Sequence, residues 1–156
     1  MQMLEMNHEY WMAFAFKEAE KAYREGEVPV GAVIVFDNQI IARGYNLTER
    51  LQDPTAHAEM IAITAAAEYL GSRRLLDCSL YVTMEPCPMC AGAIVLARIP
   101  KLVFGAVDPK SGSCGTLFNI VQDERLNHRV EVISGILEKK CSLILSDFFQ
   151  KLRKTN

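Results

Sequence analysis

Residues 79–97 read Ser-Leu-Tyr-Val-Thr-Met-Glu-Pro-Cys-Pro-Met-Cys-Ala-Gly-Ala-Ile-Val-Leu-Ala, and this stretch decides the fold. Its first part, 79–84, mixes aromatic and β-branched residues and predicts a strand. Its last part, 87–97, is small and apolar and predicts a helix. Proline favours the first turn of a helix, where its missing N–H costs nothing, so Pro86 places Cys87 at or near the helix N-terminus. Outward on one side, the alanine-rich run 56–70 predicts a helix. On the other, 102–107 predicts a strand. Two successive helix–strand units make their strands parallel and argue for a layered α/β domain.

The flanks extend this frame. Residues 10–24 set Trp11, Phe14, Ala15, Ala22 and Tyr23 among Lys and Glu, the pattern of an amphipathic helix. Strands over 28–36 and 40–44 are joined by Asp37-Asn38, which is hairpin chemistry. Residues 108–129 separate the fourth strand from a fifth at 130–134. A hairpin needs far fewer residues and a parallel crossover needs roughly a dozen or more, so the fifth strand is expected parallel to the fourth. A last helix is expected over 143–154. The 156 residues are half apolar and contain no repeat, linker or low-complexity tract, so we expect one domain, 1–156, with a buried core.

Composition narrows the class. Net charge is −2, so a globally basic nucleic-acid footprint is absent. No apolar run approaches the roughly 18 residues of a membrane span. Residues 1–9 are polar and acidic, unlike a signal peptide. The five cysteines are odd in number and unevenly spaced, which fits reduced thiols better than a disulfide framework. Cys78, Cys114 and Cys141 read as small buried or semi-buried residues. A soluble, cytoplasmic protein is the expectation, with no membrane partner.

The chemistry lies in two motifs, His57-Ala58-Glu59 and Pro86-Cys87-Pro88-Met89-Cys90. One imidazole and two thiols make three protein ligands for Zn²⁺, leaving the fourth tetrahedral position to water or hydroxide, the catalytic rather than the structural arrangement. Cys87 and Cys90 are three apart and share one helical face. Pro54, three residues before His57, puts the first motif near a helix N-terminus as well, where the dipole favours thiolates. A lone C-x-x-C is ambiguous between a redox pair, half a zinc finger and chance, and a lone His-x-Glu is common. Together, each opening a helix, they are specific. A structural zinc site would want a fourth Cys or His, and neither His8 nor His128 has ligand spacing. Zinc lowers the pKa of its water towards ~7. Glu59 is then the expected proton shuttle, taking a proton from that water, passing it to a ring nitrogen and protonating the departing ammonia. The H-x-E…P-C-x-x-C pattern is that of zinc nucleobase deaminases.

The chain resembles the bacterial tRNA-specific adenosine deaminases, which convert the wobble adenosine of an anticodon to inosine. The likeness runs nearly end to end: residues 27–33 (EVPVGAV), Asn46, 53–59 (DPTAHAE), 83–93 (TMEPCPMCAGA), 103–106 (VFGA), 108–110 (DPK), Asn127-His128 and 147–149 (DFF). The zinc motif is shared by the whole deaminase superfamily, while the flanking blocks and the phenylalanine-rich C-terminal helix are more particular to this branch. The resemblance implies a three-layer α/β/α, cytidine-deaminase-like fold with a central five-stranded mixed sheet, one zinc per subunit, and a homodimer with both active sites near the interface. It implies that Asn46 contacts the flipped base, that Val30 helps to wall the pocket, and that Asp108 makes a backbone or ribose contact. Cys114 stands where the family commonly has a small residue, and Thr116 where Ser is common.

Phe148 and Phe149, followed by Lys151, Arg153 and Lys154, combine aromatic surface with local positive charge, which suits an unstacked anticodon loop. Packing of the phenylalanines in the core is the alternative. A small-molecule deaminase acting on guanine, cytosine or a nucleoside would share His57, Glu59, Cys87 and Cys90. The 108–110 and 127–128 regions and the basic, aromatic C-terminus favour RNA.

Overall fold

The structure, a computed structural model, describes residues 6–155. Five strands form one mixed sheet in the order β2-β1-β3-β4-β5. They are β1 (Gly31–Phe36), β2 (Gln39–Tyr45), β3 (Ser79–Met84), β4 (Lys101–Ala106) and β5 (Glu131–Ile133). The first helix, α1 (His8–Arg24), and the last, α5 (Glu138–Thr155), cover one face; α3 (Ala58–Leu70) and α4 (Pro88–Ala97) cover the other. The three-layer α/β/α arrangement with a five-stranded mixed sheet is therefore present.

Strand alternation builds both layers. On β1, Ala32 and Ile34 pack with Ala58, Ala62 and Ala66 of α3, while Val33 and Val35 pack with Trp11, Met12 and Ala15 of α1. The hairpin turn Asp37-Asn38 has φ of 52° and 57°, the two positive angles of a type I′ turn. β1 runs antiparallel to β3. β3 and β4 are parallel, as the two helix–strand units predict, and β5 is parallel to β4, as the length of its connection predicts. The long crossover from β4 to β5 contains only a 3₁₀ turn, Ile120–Gln122, and otherwise irregular chain.

Boundaries shift where backbone chemistry overrides pattern. β1 starts at Gly31, three residues later than expected, because Pro29 has no N–H to offer a ladder. Residues 27–30 instead run irregularly, with Val28 and Val30 facing a cavity. A four-residue helix, α2 (Thr48–Leu51), is unforeseen. The Glu27 carboxylate accepts the N–H groups of Glu49 (3.0 Å) and Arg50 (2.7 Å) and so holds it from outside the helix. α5 begins five residues early, at Glu138, because Cys141 and Leu145, one turn apart, bury against α1 and β4 while the polar start stays in water. Among the described residues no helix is long and apolar enough to cross a membrane.

Candidate active site

Two helix starts bring the motif residues together. His57 is the N-cap of α3 and Cys87 the N-cap of α4, and neither side chain caps its own helix, so both are free to face the site. The proline reading needs correction here. Pro88, not Pro86, occupies the first turn of α4, and Pro54 lies in the loop ahead of α3 rather than in the helix. Both motifs still open helices, and both N-termini converge with their positive dipole ends. Close packing at Gly44 fixes α3: a Cβ there would stand 2.4 Å from the Ala58 carbonyl oxygen, so β2 approaches the first turn of the helix more closely than any side chain permits.

His57, Cys87 and Cys90 form the cluster of metal-binding side chains among the described residues, with donor atoms all within 4.8 Å of one another. His57 Nδ1 lies 3.5 Å from Cys87 Sγ and 3.6 Å from Cys90 Sγ. Zn–S and Zn–N bonds at tetrahedral angles would put such ligands roughly 3.5 Å apart. The donor set and its spacing fit a tetrahedral metal ion with one position left open.

The electrostatics are those of a shared proton. A hydrogen bond from Cys90, then one with His57, brings the Cys87 thiol down to about 4 against the opposing effect of burial. The same Cys87 contact, with burial, drives the Cys90 thiol upward. His57 is raised, chiefly by its hydrogen bond with Cys87. Glu59, 4 % exposed, is pushed up to about 7 by burial, against the pull of its own backbone N–H and of His57. A carboxyl near neutrality can both take and give a proton.

Two of the donors, His57 and Cys87, open on to a cavity of about 1020 Å³. Its wall includes His57, Glu59 and Cys87, and also Val30, Asn46, Asp108, Phe149 and Arg153; Phe148, Lys151, Lys154, Asn127 and His128 lie outside it. Phe148 is half-buried and turns edge-on to Tyr23 of α1, with ring centroids 6.1 Å apart. Phe148 thus packs on α1 outside the cavity wall, while Phe149 lies in the wall. Asn46 is buried, with its amide on the Thr48 hydroxyl (3.3 Å). The Asp108 carboxylate is already engaged by its own loop, accepting the N–H groups of Lys110 (2.9 Å) and Ser111 (3.3 Å) and the Ser111 hydroxyl (2.7 Å). His128 ties its Nε2 to the Ile99 carbonyl (2.7 Å). Cys78, Cys114 and Cys141 are all buried.

Sequence reasoning missed Thr48 and Ser111 in the wall, and the α5 residues Ser142, Ser146 and Gln150. It also gave Glu27 and Glu85 no role, although both are buried acids. Their partners lie on segments distant in sequence, which no spacing reveals.

The family model described as MafB19-like deaminase matches residues 6–153. The tRNA-specific adenosine deaminase of Bacillus subtilis (strain 168) is 57% identical over 146 residues, spanning 94% of this chain and 91% of its own. That of Aquifex aeolicus (strain VF5) is 49% identical over 148 residues, spanning 95% and 97%. A solved structure from studies of A-to-I editing by tRNA:A34 deaminases at the wobble position of transfer RNA superposes with a TM-score of 0.84 at 45% identity, covering 87% of this chain and 99% of that one.

Proposed function

This chain belongs to the tRNA-specific adenosine deaminase family, and from that premise we propose that it converts the wobble adenosine of a tRNA anticodon to inosine by hydrolysis. The observation that carries the reading is Glu59, buried in the cavity wall beside the His57–Cys87–Cys90 cluster. His57, Cys87 and Cys90 would hold one zinc ion, which when bound supplies the Lewis acidity that brings a coordinated water towards a pKa of ~7.

Glu59 does the proton work. It takes a proton from the attacking water and delivers it to N1 of the adenine ring as oxygen bonds to C6. Glu59 next takes the proton of the new C6 hydroxyl and passes it to the amine nitrogen, and the C6–amine bond breaks as the C6 carbonyl forms. Adenosine and water become inosine and ammonia, and the carboxyl ends as it began. Burial raises the proton affinity of Glu59 above that of an ordinary carboxylate, which suits a group that must both take and give protons. Asn46 and Val30 line the cavity where the extruded base would enter, and Phe149 and Arg153 offer a stacking face and a cation to the loop around it. The single deaminase domain, homodimeric assembly and cytoplasmic location expected from the family are part of the same reading.

The test is inosine formation in bulk tRNA treated with zinc-loaded protein, read as A-to-G change on reverse transcription beside Glu59→Ala. A wobble-position signal lost in the variant is expected. No signal from folded, zinc-bound protein would overturn the RNA assignment, and ammonia release from free bases and nucleosides would then be the measurement.

A further inference from the structure

Glu85 joins β3 to α4, just ahead of the Cys87 donor, and is 2 % exposed. No lysine, arginine or histidine pairs with it among the described residues. One loop meets its charge instead. Oε1 accepts the Asp108 N–H (3.1 Å) and the Thr116 hydroxyl; Oε2 accepts the N–H groups of Cys114 (3.0 Å) and Thr116 (3.1 Å). The loop closes tightly on the carboxylate: a Cβ on Gly112 would lie 2.5 Å from Oε1. The same loop then presents Asp108, Pro109, Lys110 and Ser111 to the cavity.

A buried carboxylate with no cation depends on every donor it has, because a missing partner leaves charge uncompensated in a low-dielectric site. Charge-assisted bonds of this kind are roughly twice as strong as neutral ones. Any other path for residues 108–116 would strip donors from Glu85, so the acid admits one conformation of the loop. The structure assigns Glu85 a role as a positioning residue: it locks the 108–111 rim in register with Cys87 and thereby sets affinity for the substrate, not the rate of the chemical step. The substrate is the RNA of the functional reading above, on which this inference rests.

Two substitutions separate the roles. In Glu85→Gln, an amide N on the Oε2 side would face two backbone N–H groups, neither able to accept. On the Oε1 side it faces one N–H and one hydroxyl that can turn and accept. The amide therefore keeps its oxygen towards Cys114 and Thr116 and gives up the Asp108 bond alone. Thr116→Val removes a donor without touching Glu85, and Thr116→Ser restores it.

The experiment uses zinc-loaded protein in a Glu59→Ala background, with anticodon stem-loop binding read by fluorescence anisotropy and backbone amide exchange read over 108–116. Loss of a hydrogen bond to a charged group predicts that Glu85→Gln weakens binding about tenfold. Exchange at 108–111 should quicken while residues 79–84 stay protected. Thr116→Val should weaken binding less, and Thr116→Ser should recover it. In the active protein KM should rise by a similar factor with kcat nearly unchanged. Unchanged exchange at 108–111, or binding equal to the parent, overturns the role. A fall in kcat with zinc loss and constant KM also overturns it, assigning Glu85 to the donor cluster. If the Glu59→Ala parent does not bind the stem-loop yet Glu85→Gln still loosens the rim, the RNA reading fails, and the hold of Glu85 on the loop is upheld.

Discussion

His57 Nδ1 stands 3.5 Å from Cys87 Sγ although the two residues are 30 apart in the chain. Each is the N-cap of a helix, and the two helices lie on the same face of the sheet, so the contact is made by parallel layering rather than by local sequence. A cavity borders the pair, and the chemistry proposed above depends on that single juxtaposition.

Removing the proton carrier should leave the donor cluster intact. Glu59→Ala is expected to bind zinc at one ion per chain, to keep its near- and far-ultraviolet circular dichroism, and to lose turnover by roughly 10²-fold or more, the usual contribution of a positioned acid–base group. Metal analysis beside inosine formation checks it. Wild-type turnover in the variant would remove Glu59 from the mechanism.

The buried carboxyl also carries a pH signature in protein freed of metal by chelation. Its folded value is raised to about 7 from an ordinary 4.5. Between those values the folded state binds the proton that the unfolded chain has released. Its contribution to stability is therefore complete below about 4.5 and is lost as pH climbs towards 7. Relative to Glu59→Gln, which does not titrate, the wild-type apoprotein should lose about 1–3 kcal/mol between pH 4.5 and 7.5. Urea unfolding of both proteins at several pH values measures the difference; parallel curves would show that Glu59 ionises freely in the fold.

Metal capture should require all three donors. Cys90→Ala and His57→Ala each leave two ligands and should lower bound zinc well below one ion per chain, with activity falling in step. Cys114→Ala is the control: its sulfur is buried but outside the cluster, so zinc content should hold at the wild-type level. Retention of stoichiometric zinc by Cys90→Ala would point to a different ligand set.

The two neighbouring phenylalanines of α5 should part company. Phe149 lines the cavity, so Phe149→Ala should weaken stem-loop binding by about 1–3 kcal/mol, the range for loss of a base-stacking surface, with little change in Tm. Phe148 packs on Tyr23, so Phe148→Ala should lower Tm and affect RNA less. Arg153→Ala should reduce affinity and flatten its salt dependence. Anisotropy titrations at two salt concentrations, paired with thermal melts, decide among these outcomes. Equal effects of the two phenylalanines on binding would contradict the division.

Much of the frame could be read in advance because it rests on local patterning. The β3–α4 unit, the Asp37-Asn38 hairpin and the parallel pairing of β4 with β5 follow from alternation, turn chemistry and connection length. Elements governed by distant partners could not. α2 exists because a buried Glu27 carboxylate caps it from another segment, and α5 starts early because Cys141 and Leu145 find a hydrophobic seat. Pro86 looked like the helix opener, yet the turn begins at Pro88, since two prolines bracket the cysteine and only backbone geometry distinguishes them.

By itself the sequence determined which atoms are available: one imidazole, two thiols and one carboxyl in two short motifs, each at the head of a helix. Residue type and spacing suffice for that, because ligand chemistry and helix-start preferences are local. Only the tertiary structure decided which of the remaining residues face the cavity. It set Phe148 against Tyr23 and Phe149 in the cavity wall, engaged the Asp108 carboxylate in its own loop, and enclosed Glu85 as the anchor of that loop. Those outcomes depend on burial, and burial is fixed by what the whole chain packs against each side chain.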